Sequence, residues 1–294
     1  MTSILPQLIV NGLIAGAIYA LAAAGFSLVY YVIKFQYFSH GAVMSIAAYL
    51  FFAFLNLMGL NYLLSGFLVV LLSILITLIT NWVVYLPLRK RKATPVILLI
   101  ASISVLIFLD ALILAVFGSS TKSIILGTKT RIFDLGIFTI TSVQLFVIFI
   151  ALILFLFLWY VLKKTKIGKS MRALADNKGA AQVVGINPEK IYNYTFALSA
   201  VFGAVGGVLL GLEQNLYPRM GVLIIIKGFI SAVVGGLGSV PGSVIGGFFI
   251  GLIENLGIWF LPSGYKDVIS FSVMILFLLF RPQGLFGVKM RDDN

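Results

Sequence analysis

The chain has 294 residues, of which 61% are hydrophobic and 10% charged, and its formal net charge is +12. A soluble domain carries roughly a quarter charged residues, so a soluble core is excluded and lipid must be the solvent. The positive charge then belongs to membrane-flanking Lys and Arg, not to nucleic-acid contact, and it favours anionic headgroups.

No basic stretch precedes the first apolar run, and the first lysine is Lys34. A cleaved leader is therefore not expected, and the first segment reads as a span. Apolar runs of spanning length occupy about 5–33, 41–58, 62–86, 95–117, 139–162 and 191–212. The first is long enough to bend at Gly12, Gly16 or Gly25. The stretch 222–258 is too long for one span and is interrupted at Gly235-Gly-Leu-Gly-Ser-Val-Pro-Gly242. That predicts two short helices meeting at a turn. A last run, 268–280, is short, and Gly264–Lys266 is expected to extend it. The predicted fold class is all-α: a single polytopic membrane domain over 1–294, about eight transmembrane segments, at least one of them a broken helix.

Three basic clusters set the orientation: Arg89-Lys-Arg-Lys92, the island Lys163–Lys190, and Arg281 with Lys289 and Arg291. All three are expected in the cytoplasm. Counting spans backward, the first segment runs from outside to inside. The loop Gly118–Phe138 is then external, against the pull of Lys122, Lys129 and Arg131. A weak internal echo links His40-Gly-Ala-Val-Met-Ser to Pro241-Gly-Ser-Val-Ile-Gly, as in transporters built from repeats. Small residues recur every fourth position at Gly12, Gly16, Ala20 and Ala24, at Gly203, Gly207 and Gly211, and at Gly247 and Gly251. This spacing lets helices approach closely in lipid.

The chain has no cysteine and a single histidine, His40. Disulfides, thiolate sites and multi-His metal sites are thereby excluded. There is no G-x-x-x-x-G-K-[ST] phosphate loop and no pair of carboxylates at helical spacing. Neither catalysis nor a cofactor is expected. Ionisable residues inside spans are Asp110, Lys227 and Glu254; each costs at least about 2.5 kcal/mol if isolated in hydrocarbon. Lys227 and Glu254 sit on the two arms of the broken stretch and are expected to pair. Ser39, before His40, is expected to cap a helix. Asn11, Tyr19, His40 and Glu254 are the polar groups nearest glycine-rich or broken helices, which makes them candidates to line a pathway.

The island 163–190 holds seven basic residues (163, 164, 166, 169, 172, 178, 190) against two acids (176, 189). It is too polar for lipid and too small to fold alone. Ala173, Ala180 and Val184 fall on one helical stripe, flanked by Lys169, Arg172 and Lys178. Gly185 ends the helix and Asn187-Pro188 prevents its continuation. A short helix with a small-residue face suits the groove of a cytoplasmic partner.

Several stretches resemble branched-chain amino-acid ABC transporter permeases, nearly end to end. They are Asn11-Gly-Leu-Ile-Ala-Gly-Ala-Ile-Tyr-Ala-Leu, Gly25-Phe-Ser-Leu-Val-Tyr30, Phe38-Ser-His-Gly41, Gly185-Ile-Asn-Pro188, Gly235 to Gly247, and Tyr265-Lys-Asp-Val. The resemblance is to the smaller, H-type subunit. It implies an importer of hydrophobic amino acids such as leucine, isoleucine and valine in the cell (inner) membrane. The implied partners are an M-type second permease, cytoplasmic ATPase subunits and an external substrate-binding protein, with ATP hydrolysed by the partners. Ala180-Ala-Gln-Val-Val-Gly185 matches the spacing of the family's coupling motif, although Gly179 stands where that motif has Glu and the downstream Leu-Pro is absent. The resemblance thus implies an ATPase-coupling set of Arg172, Ala173, Ala180, Ala181, Val184 and Gly185. A ribose- or nucleoside-type permease is the neighbouring reading, and a stand-alone channel a more distant one.

Overall fold

In the computed structural model, which describes residues 4–126, 131–134 and 136–287, the first apolar run forms one unbroken helix, α1 (Ile4–Ile33). The bend at its glycines is absent, because those positions are used for packing. Lys34, with φ 64°, ends α1 and turns the chain back. The next helix, α2 (His40–Phe52, continued by a π-helical turn Ala53–Leu57), starts beside Gly25, part way back along α1. The non-helical residues between them lie at membrane depth, where bare backbone must be shielded from lipid. Aromatic rings supply the shield: Phe35, Tyr37, Tyr85 and Phe196 are all buried, with Tyr85 stacked on Phe196 at 5.6 Å.

Helix α3 (Tyr62–Thr80) starts at an Asn61 cap and runs on through Asn81–Tyr85 and Leu86–Lys90. Helix α4 is Pro95–Phe117. A small hairpin, β1 (Ile132–Asp134) with β2 (Thr139–Thr141), takes the start of the next apolar run. Helix α5 therefore begins at Ser142 and ends at Lys164, its first turn closed by a Thr141–Gln144 capping box. The basic island folds as α6 (Lys166–Asp176) and α7 (Lys178–Val183). Then come α8 (Pro188–Glu213), α9 (Met220–Gly235), α10 (Val240–Gly257) and α11 (Lys266–Phe280), the last led by a turn at Ser263–Tyr265. The break in 222–258 falls where expected: Gly236 adopts φ 109°, and Ser239 caps α10 through the Gly242 amide. Among the described residues eight helices are long and apolar enough to cross a membrane, and α9 is a shorter apolar helix.

The four-residue spacings are helix crossings. Gly12 and Gly16 lie against Leu252 and Phe248 of α10, and Gly247 lies against Ala20. Gly203, Gly207 and Gly211 lie against His40, Met44 and Ala48 of α2. These crossings reveal two inverted halves. Helix α1 packs on α9 and α10, as α8 packs on α2 and α3; α9 touches α11, as α2 touches α4. The two helices that start inside, α2 and α9, meet at Gly41 and Gly221, each glycine against the other's carbonyl. Both glycines follow a tyrosine by four residues, Tyr37 and Tyr217. The repeat therefore matches α2 with α9. The echo read between His40-Gly and Pro241-Gly pairs α2 with α10 instead, and so does not mark it.

Basic residues gather at one end. Arg89 bonds Glu189 at 2.9 Å, and Arg89 and Lys178 both lie over the Tyr192 ring. The chain after Arg281 returns to the α9–α10 turn through Leu285 and Phe286 amides. Lys289 and Arg291 lie outside the described residues, as does Lys129. At the opposite end Gln7 bonds Thr139, so the start of α1 and the loop before α5 share a side. By the positive-inside rule the basic end is the one expected in the cytoplasm. Helices α3, α4, α5 and α11 present exposed apolar side chains such as Leu63, Val96, Phe149 and Phe280, as lipid-facing surfaces do.

Candidate translocation and coupling sites

Two of the in-span ionisable residues meet, as their places on the two arms suggest. Lys227 on α9 and Glu254 on α10 form an ion pair, 6% and 0% exposed. Glu254 also accepts hydrogen bonds from Ser270 on α11 and, at 2.9 Å, from the Tyr19 hydroxyl on α1. Lys227 reaches a second carboxylate, Asp267, at 2.7 Å. Buried charge is tolerated when it is paired and hydrogen-bonded. Here one pair ties four helices together.

Tyr19 also borders a cavity of about 260 Å³ between the outer ends of α1, α8 and α10. Asn11, Gln144, Glu213, Asn255 and Lys266 share its lining. Most of these polar groups hold one another: Gln7 donates to Asn11 at 3.0 Å, Gln144 to Glu213 at 3.0 Å, and Lys266 to Asn255 at 3.3 Å. Asn11, Tyr19 and Glu254 are therefore brought together. His40 stands apart. It is fully buried against Gly25 and Gly203, with Nδ1 3.3 Å from the Ser199 hydroxyl. Ser39 does not cap α2 with its side chain. Its hydroxyl pairs with Tyr85 at 2.7 Å, and its amide donates to Ser102 at 2.9 Å. The competing aromatic and hydroxyl partners at mid-depth decide that geometry.

Asp110, the third in-span charge, makes no ion pair among the described residues. It borders a groove of about 860 Å³ between α4 and the start of α9, which Arg219 also lines. In the sequence Asp110 stands out only as an in-span charge, and Arg219 does not stand out. The available signal was Tyr217-Pro-Arg219, a basic residue directly ahead of an apolar run.

The basic island is two helices, not one. Asn177 takes an extended conformation, ends α6, and caps α7 through the Ala180 amide. The stripe Ala173–Ala180–Val184 is thereby broken, because the two residues beyond Asn177 belong to a different helix axis. Arg172 turns inward and donates to the Leu162 carbonyl at 2.6 Å, bracing the α5–α6 joint. Ala173 is half-buried, and Ala181 is 3% exposed against the core. Ala180 and Gly185 are exposed, as are Val183 at 88% and Val184 at 74%. The tip of the island thus shows two bare valines, of which Val183 lies outside the expected coupling set. Gly185, at φ 84°, turns the chain, and Asn187 then starts α8 by accepting from the Glu189 and Lys190 amides. Asn187-Pro188 is thus the opening of the next helix as well as the end of the last.

A multi-pass helical bundle whose inverted halves each carry a helix starting at mid-depth defines a membrane protein of the transporter type. The chain matches the family described as branched-chain amino acid transport system, permease component, over residues 8–278, and it belongs to that family. It is 34% identical to the high-affinity branched-chain amino acid transport system permease protein LivH of Escherichia coli K12, over 96% of this chain and 95% of that one. It is equally 34% identical to the corresponding BraD protein of Pseudomonas aeruginosa, with the same coverage. A likeness to the ribose import permease protein RbsC of Haemophilus influenzae reaches 34% identity, over 44% of this chain and 42% of that one.

Proposed function

We propose that this chain is the membrane-spanning permease subunit of an ATP-driven importer for branched-chain, hydrophobic amino acids in the inner membrane. The observation that carries the reading is its likeness to LivH over nearly the whole of both chains, against less than half for the ribose permease. The pore forms with a second permease of the M type, an external binding protein delivers the amino acid, and cytoplasmic ATPases drive the switch between outward and inward states. The chain itself performs no bond chemistry. Asn11 and Tyr19 line the entrance. Glu254 holds α9, α10 and α11 beneath it, and His40 steadies the re-entrant start of α2. Uptake of labelled leucine by the whole assembly in proteoliposomes tests the reading. Leucine is expected to accumulate with ATP and ribose is not; the opposite preference rejects it.

Docking of the ATPase is assigned to Ala180, Val183, Val184 and Gly185 on the exposed tip of α7, with Arg172, Ala173 and Ala181 supporting it from behind. Ala180→Trp is expected to leave insertion intact and cut ATP-driven uptake at least about tenfold, since a ring cannot enter a close helix–groove contact. Uptake at the parent rate removes α7 from coupling. Ala181→Trp is expected to disturb the fold instead, because that side chain already lies against the core. Lys178→Cys, in a chain with no native cysteine, is expected to react with an impermeant thiol reagent only from the cytoplasmic side. Reaction from outside inverts the topology.

A further inference from the structure

The groove between α4 and α9 has a composition matched to one chemical class. Its walls are apolar: Ile103, Leu106, Ile107, Leu114, Val222 and Leu223. Its volume, about 860 Å³, lies within the usual range of small-molecule sites, about 300–1,000 Å³. Two ionisable groups border it, and they have opposite sign. Asp110 projects from the middle of α4, is only 6% exposed, and has one carboxylate oxygen buried without a hydrogen-bond partner among the described residues. A buried acceptor left empty costs free energy, so it is placed to receive a donor from elsewhere. Arg219 precedes the first residue of α9, is exposed, and makes no salt bridge or side-chain hydrogen bond among the described residues. The two do not close on each other: no Asp110–Arg219 contact falls within salt-bridge distance. Room is left for a ligand between them.

The amides at the start of α9 are already taken. Met220, Gly221 and Val222 donate to Tyr217, Ser45 and Arg219. An anionic group in the groove is therefore met by the Arg219 guanidinium, aided by the positive end of the helix dipole. A cationic group is met by Asp110.

We propose that this groove binds the zwitterionic head group of a hydrophobic amino acid, ammonium on Asp110 and carboxylate on Arg219, with the aliphatic side chain against the apolar walls. The proposal rests on the amino-acid importer reading and deepens it, naming contacts on a face separate from the cavity at Asn11 and Tyr19. Removing either charge leaves the matching charge of the bound amino acid without a partner. A lost charged hydrogen bond is worth about 1.5–3 kcal/mol, roughly tenfold to a hundredfold in binding.

The test uses the whole assembly in proteoliposomes. Asp110→Asn and Arg219→Gln are each expected to cut leucine uptake about tenfold or more at an unchanged amount of assembled complex. A second measurement needs neither variant. Leu223→Cys is labelled with a small thiol reagent in the presence of L-leucine, leucinamide or 4-methylpentanoate. Leucine is expected to slow labelling, while the amide, which lacks the carboxylate, and the acid, which lacks the ammonium, leave it unchanged. If the assembly imports leucine but neither charge variant lowers uptake, or if all three compounds protect alike or none protects, the groove is not the head-group site and the importer reading stands. If the unmodified assembly imports no leucine, the importer reading fails and this proposal falls with it.

Discussion

Lys227→Met is expected to destabilise the chain by about 3–5 kcal/mol, the cost of stranding a buried charge. Glu254 is fully buried, and without Lys227 its remaining partners are the neutral hydroxyls of Tyr19 and Ser270. The reverse change is gentler. In Glu254→Gln, Lys227 keeps Asp267, whose carboxylate lies 2.7 Å away and is largely solvent-exposed. The double variant Lys227→Met with Glu254→Gln is expected to recover most of the loss, because the one carboxylate left without its partner, Asp267, is exposed to solvent. Thermal unfolding of the detergent-solubilised chain measures all three. A double variant as unstable as Lys227→Met alone contradicts the pairing argument. Uptake by the double variant separates two roles for Glu254: a stable complex that still imports leucine assigns it to holding helices, and a stable complex that does not assigns it to the pathway.

Gly207→Leu is expected to prevent correct assembly of the bundle. A Cβ there would overlap the Met44 carbonyl and stand 2.8 Å from the Met44 Cα. The obstacle is backbone, which no rotamer change can move, so α8 and α2 must separate. The penalty is expected at about 3 kcal/mol or beyond, the upper end for overpacking. Because α2 starts at mid-depth and is held there by α8, the loss also exposes the aromatic-shielded segment ahead of His40. Gly66→Leu on α3 is the control: a Cβ there meets nothing within 4 Å, and no loss is expected. Yield of monodisperse protein and the unfolding midpoint compare the two. Equal behaviour would show that the α2–α8 approach is not limiting.

Composition and the spacing of apolar runs were enough to establish an all-α membrane protein, the number of spans and the broken stretch at Gly235–Gly242. Those properties are local, since a helix that must cross lipid is specified by its own twenty or so residues. The four-residue glycine spacings likewise announced close crossings, and the two arms of 222–258 announced the Lys227–Glu254 pair. What α1 crosses was not legible there, because any helix with a matching small-residue face would fit. Only the tertiary structure decided that α1 takes α10, that α8 takes α2, and that the repeat relates α2 to α9. It also split the basic island at Asn177, since a side chain that caps one helix can end another, and left Val183 and Val184 at its tip. Asp110 and Arg219 lie 109 positions apart in the chain. Nothing in a window of sequence brings them to one groove; the packing of α4 beside the start of α9 does.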